Sequence, residues 1–258
     1  MVELFSDIFA GRENVLTRLD PRAKLSAAAA GLLAVLFSRG AALPILLFAA
    51  SLSGMFAVRL PARWVLSRLA GPAAVAAVLV LLQSVLVGVT PLFSVSVAGF
   101  RLAAMAEGAR RGLFLGARVL GCSSIVLLLA SVTPAHRIFQ VLRWAGLPRG
   151  WVEIAMLTYR YAFVLLEQAA EVSAAQRARL GYSRLRLSLF SMGTLGGTVL
   201  LRSMDQADRT HEAMRVRGYS GNVPFGTMGP MRRADRFVAW LAPPILLAAR
   251  LLAEGRLP

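Results

Sequence analysis

Long apolar runs separated by short arginine-rich segments make up the first half of this chain. A helix that crosses a bilayer needs about 20 apolar residues, and a shorter run can borrow flanking residues or thin the bilayer. The pattern therefore predicts four membrane spans, at residues 25–37, 42–58, 72–93 and 112–132. A fifth apolar run, at residues 237–252, is interrupted by Pro243-Pro244 and is predicted as a C-terminal span.

The segment before the first run is typical of a helix start. Asp20 can accept hydrogen bonds from the free amides of the first turn, and Pro21 suits the first helical position. Upstream, apolar residues recur at helical spacing within residues 4–9, which predicts a short helix on the membrane surface. Acidic and basic residues are mixed through residues 1–24, so this segment does not have the pattern of a signal peptide.

The second half of the chain has the pattern of amphipathic helices. Thr133 and Pro134 predict a helix start, Gly146 predicts its end, and Pro148 starts a longer helix that extends to about Leu180. Apolar side chains form one stripe along this longer helix. The stripe consists of Ile154, Leu157, Tyr161, Leu165 and Ala169.

Two further helices are predicted after Gly181, which we expect to end the long helix. The first, at residues 187–201, is apolar enough to associate with the membrane, and the second, at residues 202–217, is polar. The second carries charged side chains one turn apart and is predicted to end at Gly218.

Composition and charge place the chain among membrane proteins. Hydrophobic residues make up 57% of it and charged residues only 16%, with a mean hydropathy of +0.63, whereas about 25% of a soluble domain is charged. The net charge of +16 does not indicate nucleic-acid binding, because the arginines are spread between apolar runs rather than gathered beside stacking aromatics. We expect these positive charges to interact with anionic membrane lipid and not with nucleic acid.

Loop charges set the predicted orientation. Cytoplasmic loops retain arginine, so the loop that contains Arg59, Arg63 and Arg68 and the long polar stretch are assigned to the cytoplasm. Residues 100–111 then conflict with this rule, since they carry three arginines on the outer side, and they predict an interfacial helix or an additional span. The resulting domains are N-terminal membrane helices at 1–132, a cytoplasmic region at 133–236 and a C-terminal membrane helix at 237–258.

Residues with metal or redox chemistry are few. Cys122 is the single cysteine and lies in an apolar run, while His136 and His211 are far apart and have no partner at metal-ligand spacing. We therefore expect no metal site and no cofactor in this chain.

Two arginine segments stand at the ends of the predicted polar helices, thirty-eight residues apart when measured from Arg179 to Arg217. Each is followed by glycine and tyrosine. Cations near a helix C-terminus are favoured by about 0.3–1 kcal/mol, so one interpretation is that both arginines only stabilise helix ends. The alternative is that their guanidinium groups enter carboxylate-lined grooves on a partner.

Three motifs accompany these arginine segments in order along the chain. They are Leu19-Asp20-Pro21-Arg22-Ala23-Lys24, Thr133-Pro134 with Leu147-Pro148, and Tyr159-Arg160-Tyr161. With them, the chain resembles the transmembrane T component of energy-coupling-factor transporters, in particular the CbiQ branch that serves cobalt or nickel uptake. The two signatures, Ala178-Arg179-Leu180 and Val216-Arg217-Gly218, each depart from the family's Ala-Arg-Gly pattern.

The resemblance implies an all-α, polytopic protein of the cell membrane with long cytoplasmic coupling helices. It implies that Arg179 and Arg217 each dock one subunit of a CbiO-like ATPase dimer. Small residues beside them, Ala178, Gly181 and Gly218, would allow close entry. Leu157, Tyr161 and Leu165 would pack between the coupling helices. Magnesium and ATP would bind to the ATPases, since the chain has no phosphate-binding Gly-x-x-x-x-Gly-Lys-Ser/Thr motif.

The resemblance also implies a substrate-binding membrane partner, a CbiM-like S component with or without a CbiN-like small subunit. Cobalt is the favoured substrate, and nickel or a vitamin is the alternative. Two other functions remain open from the residues. One is a membrane enzyme that uses Glu107, Glu167 and Glu171 as acid and base. The other is a self-sufficient carrier, although no matching inverted halves are evident.

Overall fold

The computed structural model describes residues 19–87, 91–97, 100–221, 229–231, 235–236 and 239, with the backbone alone at 91–97 and 100–104. The surface helix predicted at residues 4–9 lies outside the described residues. So does the C-terminal span predicted at 237–252, apart from Ala239.

Within the described residues, seven α-helices and one β-hairpin follow each other along the chain. They are α1 (Pro21–Leu36), α2 (Ala42–Ala57), α3 (Ala62–Leu86), β1 (Pro91–Val97), β2 (Phe100–Met105), α4 (Ala106–Val132), α5 (Ala135–Trp144), α6 (Arg149–Ala178) and α7 (Leu185–Val216). The strands β1 and β2 pair antiparallel, with Val97 opposite Phe100 and Pro91 opposite Met105.

Local capping explains the helix starts that the sequence predicts. The Asp20 side chain accepts a hydrogen bond from the Arg22 amide at 2.9 Å, and Pro21 is the first residue of α1. Pro148 directly precedes α6, as predicted. Thr133 differs from its prediction as a cap for α5. It follows the last residue of α4 instead, and its buried hydroxyl has no hydrogen-bond partner in the described part of the chain.

Several predicted boundaries are wrong. Helix α3 begins at Ala62, ten residues before the predicted start, because the polar first turns continue into the apolar run and Pro72 is accommodated inside the helix. It ends at Leu86, so residues 91–93 of the predicted span belong to β1 instead. Residues 100–111 are neither an interfacial helix nor an added span, but strand β2 and the start of α4. The helices predicted at 187–201 and 202–217 are one helix, α7, since no proline or capping residue separates them.

The helical fold class is confirmed, and the hairpin β1–β2 is its only addition among the described residues. The described residues fall into two compact units. One extends through Ile138 and includes those from Gly229 onward, and the other begins at Phe139 and holds the arginine-tipped helices α6 and α7. The assignment of these units to membrane and cytoplasm stays a prediction.

Helices α3 and α4 have the character of membrane spans. They contain 25 and 27 residues and are long and apolar enough to cross a bilayer. In the most apolar 18-residue window of each, only 6% of the residues in α3 and 22% in α4 are buried. A core helix of a soluble protein would bury this surface, so the exposed apolar faces indicate lipid around the helices. Helix α2 is apolar but shorter, at 16 residues.

A glycine stripe brings α3 and α4 together. Gly108, Gly112 and Gly116 recur every fourth residue on one face of α4, and all three are buried. A Cβ atom at Gly112 would lie 2.7 Å from the Cα atom of Val80 on α3, which is closer than side chains pack. A Cβ at Gly108 would meet the carbonyl oxygen of Gln83. Small residues at this spacing let two membrane helices approach through their backbones.

The hairpin formed by α1 and α2 packs against the C-terminal half of α4. The backbone of α4 at Gly121 approaches Pro44, with the Cβ position 3.0 Å from the proline carbonyl oxygen. The turn between α1 and α2 lies beside Arg118, whose Nη2 donates a 2.6 Å hydrogen bond to the Ser38 carbonyl. Arg118 lies near the middle of α4, so the hairpin covers only part of the length of that helix.

Candidate functional site

Helix α6 ends in a turn built around Arg179, which is its C-cap residue. The amide of Leu180 donates to the Arg177 carbonyl at 3.0 Å, and the amide of Gly181 donates to the Gln176 carbonyl at 2.8 Å. These two bonds define the Schellman motif, in which the last free carbonyls of a helix are satisfied by the chain that reverses beyond it. We call residues 179–181 the first tip.

Helix α7 ends in the same way at Arg217, which is again the C-cap. The amide of Gly218 donates to the Arg215 carbonyl at 3.0 Å, and the amide of Tyr219 donates to the Met214 carbonyl at 3.0 Å. We call residues 217–219 the second tip. The two arginine segments noticed in the sequence are therefore a structural repeat, since each arginine occupies the same position in the same motif.

The two tips differ at the residue after the arginine. This residue has positive φ in both, with Gly218 at 79° and Leu180 at 58°. Gly181 was predicted to end the long helix. The structure corrects this, because Leu180 holds the left-handed position and Gly181 follows it. A left-handed residue with a Cβ atom costs about 1–2 kcal/mol relative to its right-handed conformation, so the first tip is the more strained of the two.

We therefore expect opposite effects from exchanging the residues at this position. Leu180→Gly should stabilise the first tip by about 1 kcal/mol, and Gly218→Leu should destabilise the second by a similar amount. Hydrogen exchange of the Gly181 and Tyr219 amides, which close the two motifs, measures this directly. In Leu180→Gly, the Gly181 amide should exchange about fivefold more slowly than in the unmodified chain. In Gly218→Leu, the Tyr219 amide should exchange about fivefold faster. A change of the amide exchange rate in the same direction in both variants would contradict the strain assigned to Leu180.

Gly181 has a different role, which is close packing against α7. A Cβ atom there would lie 2.6 Å from Ser191 Oγ and 3.0 Å from the Gln176 carbonyl oxygen. The Ser191 hydroxyl donates to the Gly181 carbonyl at 2.9 Å, and Gln176 Nε2 donates to the Ser191 carbonyl at 3.0 Å. Tyr182 completes the group by donating to Gln176 Oε1 at 2.7 Å. This network fixes the first tip against the start of α7.

Sequence reasoning missed Gln176, Tyr182 and Ser191. The tyrosine after the glycine was visible as part of the repeat, but the glutamine and the serine are fifteen residues apart and carry no local pattern. Only the reversal between α6 and α7 brings them together, so a single sequence offers no signal for this network.

Both tip arginines are exposed. Their guanidinium groups form no hydrogen bond or ion pair within the part of the chain that the structure describes. The neighbouring apolar side chains are also solvent-facing, with Leu180 72% and Val216 88% exposed. Ala178 and Gly218 are exposed too, and nothing lies within 4 Å of the position that a Cβ at Gly218 would take. Each tip thus presents a cation that no described residue pairs with, beside apolar surface and small residues.

Charge differs between the tips. The sequence has no acidic residue between Glu171 and Asp205, and four arginines cluster around the first tip in this interval. They are Arg177, Arg179, Arg184 and Arg186. Around the second tip, Asp208 and Glu212 offset Arg209, Arg215 and Arg217. The first tip therefore attracts an acidic surface more strongly.

The predicted packing residues lie along α6. Leu157, Tyr161 and Leu165 are half-buried, while Ile154 of the same stripe is 64% exposed. Tyr161 forms a hydrogen bond with α7, in which its hydroxyl oxygen lies 2.9 Å from Thr210 Oγ1. Because the Thr210 hydroxyl donates to the Gln206 carbonyl at 2.7 Å, Tyr161 is the donor in this pair. The role of the three residues in coupling stays a prediction.

The aromatic residues around Arg160 also have a structural role. Tyr159 stands edge-on to Phe139, with 6.0 Å between the ring centroids, and edge-on to Phe163 at 5.0 Å. Edge-to-face pairs of this kind add to the energy of burial. Within the Tyr159-Arg160-Tyr161 motif, one tyrosine therefore anchors α6 in an aromatic cluster and the other joins α6 to α7.

The first motif, at residues 19–24, links α1 to the end of α4. Asp20 caps α1, and Lys24 Nζ lies 3.4 Å from the Val132 carbonyl oxygen in the last turn of α4. A cation at this place is favoured, because the free carbonyls at a helix C-terminus carry partial negative charge. The motif thus holds the start of α1 against the end of α4, after which the chain continues into α5.

A search for metal sites among the described residues finds no group of three or more His, Cys, Asp or Glu side chains able to hold an ion. Cys122 is half-buried on α4 and is not part of a disulfide. The glutamates considered for an enzyme, Glu107, Glu167 and Glu171, are each exposed on a helix surface.

Comparison with known proteins agrees with the resemblance seen in the motifs. Residues 12–225 match the model of the CbiQ family, described as cobalt transport protein. An uncharacterized protein of Methanocaldococcus jannaschii is 29% identical over 211 residues, covering 81% of this chain and 79% of that protein. The cobalt transport protein CbiQ of Rhodobacter capsulatus is 36% identical over 127 residues, 49% of this chain and 50% of that protein.

A third relative is a fusion. The putative fused cobalt transport protein CbiMQ of Methanocorpusculum labreanum is 29% identical over 104 residues, which cover 40% of this chain and 17% of that protein. The match therefore spans half or less of the relatives whose names refer to cobalt transport.

Proposed function

Because the chain belongs to the CbiQ family of cobalt transport proteins, we propose that it is the transmembrane coupling component of an energy-coupling-factor importer, most directly one for cobalt. The observation that carries this proposal is the repeated tip. The Schellman turn alone is common, since α2 and α5 also end in it; the two long helices share an exposed arginine as the C-cap residue of that turn, without a hydrogen-bond or ion-pair partner among the described residues. A repeated element of this kind fits a partner that is itself made of two similar subunits.

In this proposal each tip enters a groove on one subunit of an ABC-type ATPase dimer. A guanidinium group forms paired hydrogen bonds with carboxylates, so the groove is expected to be acidic. Leu180 and Val216 would cover its apolar rim, and the small residues Ala178 and Gly218 would let the backbone approach. The network around Gln176 would hold the first tip rigid, so that a movement of the ATPase is transmitted to α6 and α7 rather than absorbed by a loose turn.

The membrane unit would carry that movement to the substrate-binding subunit. The chain would cross the cell membrane several times, with α3 and α4 as its longest spans. One relative's name joins CbiM and CbiQ in a single fused protein, which supports a CbiM-like S component as the membrane partner, with or without a CbiN-like subunit. ATP and magnesium would be bound by the ATPases. Nickel or a vitamin as the substrate is the alternative to cobalt.

The two rival functions have less support. A membrane enzyme needs acid and base groups that converge in a protected site, and Glu107, Glu167 and Glu171 are exposed. A self-sufficient carrier does not account for two matching tips with free cations. Family membership favours a transport protein over an enzyme.

The proposal is tested by identifying the chains that co-purify with this protein. The full chain is tagged at one terminus and extracted gently from its native membrane. We expect an ABC ATPase and a small membrane protein in the same complex, and the metal taken up by cells that overproduce the complex identifies the substrate. Recovery of the chain alone, from membranes that demonstrably contain the ATPase, would contradict the proposal.

A further inference from the structure

An open groove of about 820 Å³ runs along the N-terminal half of α4. Its walls come from the first turns of α2, the middle of α3 and the first four turns of α4. The groove exists because the hairpin of α1 and α2 turns at the level of Arg118, as the 2.6 Å bond from Arg118 to Ser38 shows. Beyond that level the described residues leave one face of the α3–α4 pair uncovered.

The lining of this groove is apolar with one exception. Alanine, isoleucine, leucine, valine, phenylalanine and glycine supply the other lining positions, and Arg110 is the only charged residue among them. Arg110 is exposed and lies one turn after α4 begins at Ala106. The other arginine near the groove, Arg118, is already engaged with the Ser38 carbonyl and lies over the Phe114 ring, 4.7 Å from its centroid.

The position of Arg110 along α4 matters for what can bind. The helix is 27 residues long and apolar enough to cross a bilayer. Its first turns therefore lie near the membrane–water interface, at the level of the lipid phosphate groups. Arg111 adds a second positive charge at this level and Glu107 one negative charge, and both are exposed without lining the groove. The local excess is positive, which favours an anionic headgroup.

We propose that this groove binds one anionic glycerophospholipid, with an acyl chain along the apolar walls and the phosphate held by Arg110. A guanidinium group matches a phosphate through two parallel hydrogen bonds. The apolar walls below Arg110 offer no polar partner to a second group, which fits a hydrocarbon chain. This inference does not rest on the proposed transport function, since it concerns a face of the membrane unit and not the tips.

The bound lipid would fill the space that the short hairpin leaves open. Without an occupant, no other described residue would pack on this face of the α3–α4 pair over the first turns of α4. The lipid would therefore act as a structural component that supports the α3–α4 pair.

The test uses the purified full chain, stripped of native lipid in detergent and titrated with phosphatidylglycerol, with native mass spectrometry counting the lipids that remain bound. One phosphatidylglycerol should bind more tightly than the rest. Arg110→Gln should weaken this first binding about tenfold, the loss expected for one charge-assisted pair. Arg111→Gln is the matched control, because it removes the same charge one residue away and outside the groove.

A second pair of variants separates the groove from the charge. Ala77 lines the groove on α3, whereas Ala74 is on the same helix and does not, and both are exposed. Ala77→Leu should obstruct the groove on its α3 side and weaken the tight binding, while Ala74→Leu should leave it unchanged. Exposed substitutions of this kind have little effect on folding.

Three results would overturn the proposal. Equal losses in Arg110→Gln and Arg111→Gln would show general attraction to a positive surface. Unchanged binding in Ala77→Leu would place the acyl chain elsewhere. Absence of a preferred phosphatidylglycerol on the wild-type chain would show that the groove binds no lipid, and crosslinking of an Ala77→Cys variant to another membrane protein in native membranes would then assign the groove to a partner helix.

Discussion

Reversing the charge of both tip arginines, in an Arg179→Glu and Arg217→Glu double variant, is expected to abolish assembly with the ATPases and uptake of the metal. Each reversal removes a desolvated charge pair and places a carboxylate against an acidic groove, and the loss of one partner in such a pair costs about 2–5 kcal/mol. A single reversal should therefore weaken association by a factor of about 30 or more. Association is measured by co-purification of the ATPase, and uptake by the metal content of cells.

The matched control for this variant is Arg202→Glu with Arg209→Glu. Both residues are exposed on α7, two turns or more before its tip, so the control makes the same change in net charge and leaves both C-cap arginines in place. The control should assemble and transport like the unmodified chain. Normal assembly of the tip variant, or equal losses in both variants, would show that Arg179 and Arg217 only stabilise helix ends.

Gly112→Leu is expected to have the largest effect on the unit that contains helices α1 to α4. Its Cβ atom would lie 2.7 Å from the Val80 Cα atom, and backbone atoms cannot move aside as a side chain can. Overpacking of a tight contact costs about 1–3 kcal/mol and more where the backbone must shift. We expect a clearly lowered thermal unfolding midpoint for the protein in detergent. The midpoint is measured by fluorescence-detection size-exclusion chromatography of samples heated to increasing temperatures.

Gly193→Leu provides the control for this prediction. Gly193 lies inside α7, and nothing stands within 4 Å of the position that its Cβ would take. The substitution exchanges a poor helix former for a good one without a clash, so it should leave the midpoint unchanged or raise it. A midpoint for Gly112→Leu as high as that of Gly193→Leu would contradict the close approach of α3 and α4.

Local sequence signals predicted the features that depend on nearby residues. Asp20 and Pro21 start α1, Pro148 precedes α6, and the C-cap position of Arg217 follows from the glycine directly after it. These features depend on hydrogen bonds within a few residues, so they are visible in a single sequence. The repeat of Arg179 and Arg217 was visible for the same reason.

Features that depend on contacts between helices could not be predicted in the same way. Nothing local shows that Pro72 lies within a helix or that Leu180 rather than Gly181 takes the left-handed conformation. The Gln176 network requires the reversal between α6 and α7. The glycine stripe of α4 is an exception, since its spacing of four residues was present in the sequence and indicates close helix packing.

The central claim is that both tips contact an ATPase, and site-specific photocrosslinking tests it most directly. A photoreactive amino acid is introduced at Leu180 and, separately, at Val216, which are exposed beside the two arginines. Met204, 59% exposed in the middle of α7, serves as the control position. We predict that positions 180 and 216 each crosslink to an ATPase subunit in native membranes and that position 204 does not. Absence of the ATPase from the products at both tips, with the ATPase present in the same membranes, would contradict the account.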